Sequence, residues 1–307
     1  MKIIDAHVHL VQCICGTGSR GAMRACGQGR GMYDDGTVYQ LIPPELGEDS
    51  VTPEAALRVM DAHGVEKAVL LQGNFVGFQN LYSYEAQQRY PDRFLAAAAY
   101  DPFSRNRQEI LEHLFEKLQM RVVKFEVSTG SGLMANHPTI PLDGDVMERE
   151  YAYADDHNLI FVIDIGKLGS ESSQIPALRR AILRHPSMRF VVCHLLSPKA
   201  SQEKEMVEGL TQLALPNVWF DLASIQNNVK PDPAPYPVSR RFIHAAADTV
   251  GADRLIFGTD LPSNLCNFTY QSMIETVTLA PGFTDEEKQL MMYGNAERVF
   301  WGRGEEI

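Results

Sequence analysis

The chain has 307 residues, 45% hydrophobic and 22% charged, the profile of a globular protein able to bury a large core. Its net charge is −11, which argues against a nucleic-acid surface, because phosphate binding needs a basic stripe. No run approaches the roughly 18 apolar residues of a membrane span, and five cysteines, an odd number, fit a reduced cytoplasmic setting better than a disulfide framework.

The first element reads as a short buried strand. Met1-Lys2-Ile3-Ile4-Asp5 meets an acid before any leader-like apolar stretch forms, and the run closes on His7-Val8-His9. Side chains alternate faces along a strand, so His7 and His9 point the same way, one pleat apart. Two imidazoles on one face at a strand's C-terminal end can grip one metal ion. The segment from about 10 to 51 is rich in Gly and Arg, has little periodicity, and reads as a long lid loop. Within it Arg20, Arg24 and Arg30 are candidates to hold a substrate carboxylate in bidentate fashion, although any one of them alone reads as an exposed arginine. Cys13, Cys15 and Cys26 find no histidine in the loop to complete a structural zinc site and read as free thiols. Tyr33, Tyr39, Phe75, Phe78 and Tyr82 are available as aromatic walls or as lid packing.

Past residue 50, apolar runs alternate with amphipathic stretches. Strands are expected over Lys67–Gln72, Phe94–Tyr100, Arg121–Glu126, Leu159–Asp164, Phe190–His194, Trp219–Leu222 and Leu255–Asp260. Helices are expected near 53–63, 80–89, 105–119, 145–157, 174–185, 200–214, 238–249 and 269–279. Thr52-Pro53-Glu54 is a start signal and His63-Gly64 a stop. With the opening strand there are eight βα units, which suggests a closed (β/α)8 barrel in one domain spanning 1–307. Tyr90-Pro91, His185-Pro186, Leu215-Pro216 and Gly251-Ala252 each join a helix end to a strand start, as turns at the bottom of such a barrel would. The stretches 127–144 and 261–268 join the lid at the opposite rim.

Reactive groups of a parallel barrel sit at the C-terminal strand ends. Besides His7 and His9, these ends carry Lys124 and Glu126 (strand 4), Asp164 (strand 5), His194 (strand 6) and Asp260 (strand 8). Each follows an apolar run and would be costly to bury unpaired. Each also has a plainer reading: Asp260 as a helix cap, His194 as a satisfied histidine, Asp164 and Glu126 as partners of a lysine. Gln72 and Asp221 read as pocket lining or helix caps. His63, His113, His157 and His185 read as surface histidines on or beside helices, and His137 as a loop residue.

The constellation resembles the amidohydrolase superfamily, in particular the branch of small barrels that includes aminocarboxymuconate-semialdehyde decarboxylase. The motifs that carry it are Asp5-Ala6-His7-Val8-His9, Val191-Val192-Cys193-His194, Phe257-Gly258-Thr259-Asp260-Leu261-Pro262 and the tail Tyr293–Phe300, so it spans nearly the whole chain. The resemblance implies one bound divalent ion, zinc favoured and manganese the alternative, on His7, His9 and Asp260. One departure matters: where the family has a metal-binding histidine at the end of strand 5, this chain has Asp164. Asp164 either replaces imidazole with carboxylate, or stands behind the ligands while His194 moves into coordination, or the metal is weak or absent.

The expected activity is hydrolysis of a small, carboxylate-bearing ester, lactone or amide by activated water. Asp260 would move protons and His194 would orient the water or polarise the carbonyl, with Lys124, Glu126, Arg20, Arg24 and Arg30 on the substrate. The alternative is a non-oxidative decarboxylase using the same residues, and a third reading is a barrel that binds without catalysis. A homo-oligomer is an expectation from the frequency of dimers alone.

Overall fold

Strand β1 (Ile3–Val8) is buried along its entire length, as a strand covered on both faces must be. It pairs in parallel with β6 (Val65–Leu70), and the sheet continues through β7 (Phe94–Ala98), β8 (Val122–Glu126), β9 (Ile160–Asp164), β10 (Arg189–Val192), β11 (Val218–Asp221) and β12 (Leu255–Ile256). The computed structural model describes residues 1–302. Three backbone bonds return the sheet to its start: Ala6 N to Phe257 O at 3.0 Å, Asp260 N to His7 O at 2.8 Å and His9 N to Leu261 O at 2.7 Å. Eight parallel strands with helices between them form the (β/α)8 barrel that the alternating pattern predicts.

The expected helices form within three residues of their predicted ends. Thr52 caps the first of them, its hydroxyl accepting from Ala55 N at 3.1 Å, and Gly64 ends it at φ 69°. Inside the barrel Ile4, Ala6, Val69, Leu95, Val122, Ile160, Val162, Val191 and Trp219 pack on one another, and Val299 and Phe300 plug the bottom. Outside it, Phe94, Phe125, Phe161, Phe190 and Phe220 meet the helices.

The lid differs from expectation. Residues 10–51 are not an irregular loop but carry four short antiparallel strands, β2 (Thr17–Gly18), β3 (Gly21–Ala25), β4 (Arg30–Tyr33) and β5 (Val38–Gln40), in that order. Several barrel strands stop earlier than predicted; β10 ends at Val192 and β12 at Ile256, so His194 and Asp260 sit on the turns beyond them. His185 is buried between Asp155 and Glu148 rather than at the surface, 3.0 and 3.1 Å from their carboxylates. His137 pairs with Asp101 at 2.6 Å.

Candidate active site

Ile4 and Ala6 belong to the barrel interior, while Val8 packs outward. A regular strand with that phase would turn His7 away from the interior. The pairing shifts instead: Asp5 lies opposite Ala68 and Val8 opposite Leu70, three residues against two, which is a β-bulge. The bulge resets the alternation, and His7 and His9 both line a cavity of about 620 Å³ at the C-terminal rim. Asp5 fastens it. Its carboxylate, fully buried, accepts from His7 N (3.1 Å), Thr259 N (3.0 Å), Thr259 Oγ1 (2.5 Å) and Tyr270 OH (2.5 Å). Gly258 passes so close that a Cβ there would stand 2.8 Å from the His7 Cβ.

The cavity gathers most of the predicted residues. Lys124, Glu126, Asp164, His194, Asp260 and Arg20 line it with His7 and His9. His9 Nδ1 lies 2.9 Å from Leu71 O and carries a proton there, while Nε2 faces Asp260 Oδ1 at 3.1 Å, able to donate to that oxygen when protonated and to ligate a cation when not. His7 Nε2 is buried, has no hydrogen-bond partner, and lies 3.9 Å from the same oxygen. Ligand atoms of His7, His9 and Asp260 all fall within 4.8 Å of one another. Two imidazole nitrogens and a carboxylate oxygen, one nitrogen buried and orphaned, form a donor set that fits a divalent cation.

Asp260 stands at φ 60°, and its second oxygen accepts from Ser224 Oγ at 2.6 Å. Burial works against its charge, but the hydrogen bond from His9 and the nearby His7 and His194 rings hold its carboxyl well below the usual range. His194 begins a run of four left-handed non-glycine residues through Ser197, with φ of 60°, 49°, 66° and 48°. Each such residue is disfavoured by about 1–2 kcal/mol, so the turn is held by its surroundings. Burial opposes a charge on His194, while Asp164, Asp221 and Asp260 outweigh it and raise its pKa. Burial lowers the pKa of His7 well below the ordinary imidazole value, with Lys124 and His194 adding to the effect.

Asp164 faces the cavity but stays outside the His7–His9–Asp260 set. Its Oδ1 accepts from Gly166 N at 2.8 Å, and its Oδ2 lies 3.6 Å from His194 Nε2. It therefore does not take the place of an imidazole in that set, and His194 is not in the set either. Glu126 is held by Ser131 Oγ (2.7 Å) and Ser128 Oγ (3.1 Å), not by a lysine. Lys124 is 3% exposed, and no carboxylate among the described residues reaches ion-pairing distance of its ammonium. Burial resists that charge, yet Cys193, Glu126, Asp164 and Asp260 around it raise its pKa.

The lid arginines divide. Arg20 reaches the cavity rim while bonding Asp35 and Thr37, each at 2.9 Å. Arg24 is exposed and pairs with Asp34 at 3.5 Å, and Arg30 turns to Gly27 O at 3.3 Å; neither lines the cavity. The antiparallel register explains this, because it places Arg24 opposite the exposed Met32 and spends Arg30 on the β3–β4 turn. Tyr33, Tyr39 and Phe75 form an aromatic wall with ring centroids 5.9 and 6.1 Å apart, whereas Phe78 and Tyr82 lie outside the lining. Burial and the Glu126 charge push the Tyr33 phenol up to about 12. Cys13, Cys15 and Cys26 are exposed free thiols. No helix among the described residues is long and apolar enough to cross a membrane.

Two residues carry more than their sequence reading. Asp221 is not a helix cap but bonds His7 and the His194 turn. Asp5, unremarked as a side chain, locks the bulge. The signal for the bulge was present: Ile4 and Ala6 share one parity, His7 and His9 the other.

The fold has solved relatives. A Burkholderia multivorans amidohydrolase with bound zinc matches at TM-score 0.73 and 17% identity over 98% of this chain and 99% of that one. A probable 2-pyrone-4,6-dicarboxylic acid hydrolase from Acinetobacter baumannii, with citric acid bound, matches at 0.72 and 16% over 98% and 100%. A 2,6-dihydroxybenzoate decarboxylase from Rhizobium matches at 0.57 and 16% over 81% and 88%. At these identities the likeness is one of fold. No curated relative matches by sequence. The amidohydrolase family model matches residues 4–301, nearly the entire described chain, and the protein belongs to that family of barrel enzymes.

Proposed function

We propose that the protein hydrolyses a small ester, lactone or amide that bears a carboxylate. The observation that carries the reading is the meeting, on the floor of one cavity, of the His7–His9–Asp260 donor set with the unpaired ammonium of Lys124. A divalent ion on His7, His9 and Asp260, zinc by preference and manganese as the alternative, would supply Lewis acidity and ease the deprotonation of water. Support for zinc comes from the donor set and from the zinc held by the Burkholderia neighbour.

The chain's own groups account for the rest. Lys124 is a fixed cation that would take the substrate carboxylate, and Arg20 at the rim is placed to assist it. Glu126, with one oxygen on two serines, presents its other oxygen to a substrate hydroxyl or amide. Asp260, held ionised beside the His7 and His9 rings, would accept the proton of the attacking water and return it to the leaving oxygen or nitrogen. His194, whose protonated form the acids around it favour, would donate to the carbonyl as charge develops on it. Support for hydrolysis over decarboxylation comes from the pyrone dicarboxylate hydrolase neighbour, which covers the whole fold, where the decarboxylase leaves 19% of this chain unmatched.

The test is turnover in ¹⁸O water with zinc-replete protein and a panel of lactones, esters and aromatic or unsaturated acids. One ¹⁸O in each new carboxylate, with no gas released, is the expected result. CO₂ released in step with substrate loss and without ¹⁸O uptake would replace hydrolysis with decarboxylation. Asp260→Asn is expected to lower kcat by about 10²–10⁴-fold.

A further inference from the structure

One buried carboxylate beside the site takes no part in the chemistry above. Asp221, at the end of β11, is 1% exposed. Its Oδ2 lies 2.9 Å from His7 Nδ1. Its Oδ1 accepts from His194 N at 2.7 Å and from Ala223 N at 3.1 Å. A carboxylate only accepts, so the His7 proton sits on Nδ1 and the lone pair on Nε2. That Nε2 is the buried, unpartnered atom facing Asp260.

We propose that Asp221 is a positioning residue. Its carboxylate fixes the tautomer of His7 so that Nε2 is the ligand atom, and it pins the left-handed turn that carries His194. The inference rests on the reading of His7 as a metal ligand. Groups that bond the far nitrogen of a ligating histidine set both its orientation and its basicity. A different role, with Asp221 joining His7 and His194 around a second cation, conflicts with the geometry, because three N–H donors already occupy its two oxygens.

Asp221→Asn separates the two atoms. Two backbone N–H groups demand an acceptor at the Oδ1 position, so the amide oxygen stays there and the NH₂ turns to His7. His7 Nδ1 must then accept, and its proton moves to Nε2, where the lone pair was needed. The expected result is zinc affinity about 10–100-fold weaker than wild type, measured by competition with a chromophoric chelator. Metal-free wild type labelled with ¹⁵N at histidine should show His7 protonated at Nδ1, and the variant should show it at Nε2.

Equal zinc affinity in the two proteins would overturn the proposal, and so would an Nε2-protonated His7 in wild type. A cobalt titration that takes two equivalents in wild type and one in the variant would overturn it in favour of Asp221 as a ligand. If wild type bound no zinc, the metal reading itself would fail, and the ¹⁵N spectrum would still decide the tautomer. If the variant did not fold, the wild-type spectrum alone would decide.

Discussion

Tyr270→Phe tests whether the Asp5 carboxylate holds the bulge on which the site depends. Burial pushes the Asp5 carboxyl up to about 6, against the pull of hydrogen bonds from Thr259, Tyr270 and His7 N. The folded protein therefore holds this proton more tightly than the unfolded chain does, where the ordinary value is 3.8. Its contribution to stability is complete below pH ~4 and is lost as pH rises through ~6, amounting to about 3 kcal/mol by linkage. Tyr270 OH donates to Asp5 Oδ2 at 2.5 Å in a fully buried setting. Above pH 6 the acceptor is charged and the bond is worth about 1.5–3 kcal/mol; at pH ~5 the acceptor is mostly neutral and the bond is worth about 1 kcal/mol. Removing the hydroxyl should thus destabilise the protein by about 2–3 kcal/mol at pH 7.5 and by about half that at pH 5. Urea unfolding of chelator-treated wild type and variant at both pH values measures the difference without metal affinity entering. A cost that is equal at the two pH values, or larger in acid, would refute the assignment of Asp5 as a buried carboxylate whose charge Tyr270 stabilises.

Gly258→Ala places a methyl 2.8 Å from the His7 Cβ, and is expected to destabilise by about 1–3 kcal/mol while weakening zinc retention, read by melting temperature and by metal content after dialysis. Arg107→Ala removes the Nε and Nη2 donors that hold Glu150, a side chain with no exposed surface, and is expected to destabilise by about 3–5 kcal/mol. Adding Glu150→Gln in the same chain should recover part of that loss, and a double variant no better than the single one would remove the ion pair from the account.

The barrel was legible because its strands are buried on both faces and its bottom turns carry Pro or Gly, which halt a helix by local sterics. Strand ends marked the polar groups that line the cavity because a polar residue closing an apolar run has few other places to be. The rim was less legible. Nothing local announces left-handed backbone at His194, Leu195, Leu196 and Ser197, none of them glycine, because long-range bonds such as His194 N to Asp221 hold it there. The lid strands were missed because they run for two to five residues with mostly exposed side chains, too short for any period to show. Arg24 and Arg30 were misplaced for the same reason, since the β3–β4 register decides which lid side chains turn inward.

The aspartates near the strand ends show how the fold separates structural carboxylates from reactive ones. Asp5 accepts from the amide of His7, Asp164 from that of Gly166 and Asp221 from that of Ala223, each two residues on. This local turn lets an aspartate end or kink its own strand, and it occupies an oxygen with backbone. Asp260 breaks the pattern. Neither of its oxygens accepts from an amide; one faces His9 and the other takes the Ser224 hydroxyl. The turn that Asp260 would otherwise cap is supported by Thr259, whose Oγ1 accepts from Leu261 N at 3.2 Å, and by Asn264, which donates to Thr259 O at 2.7 Å. Relieved of the backbone by its neighbours, the Asp260 carboxylate presents both oxygens to side chains in the cavity. That distinction among residues of identical type is set by hydrogen bonding alone, and it is why the proposed function gives the acid–base role to Asp260 and not to Asp5, Asp164 or Asp221.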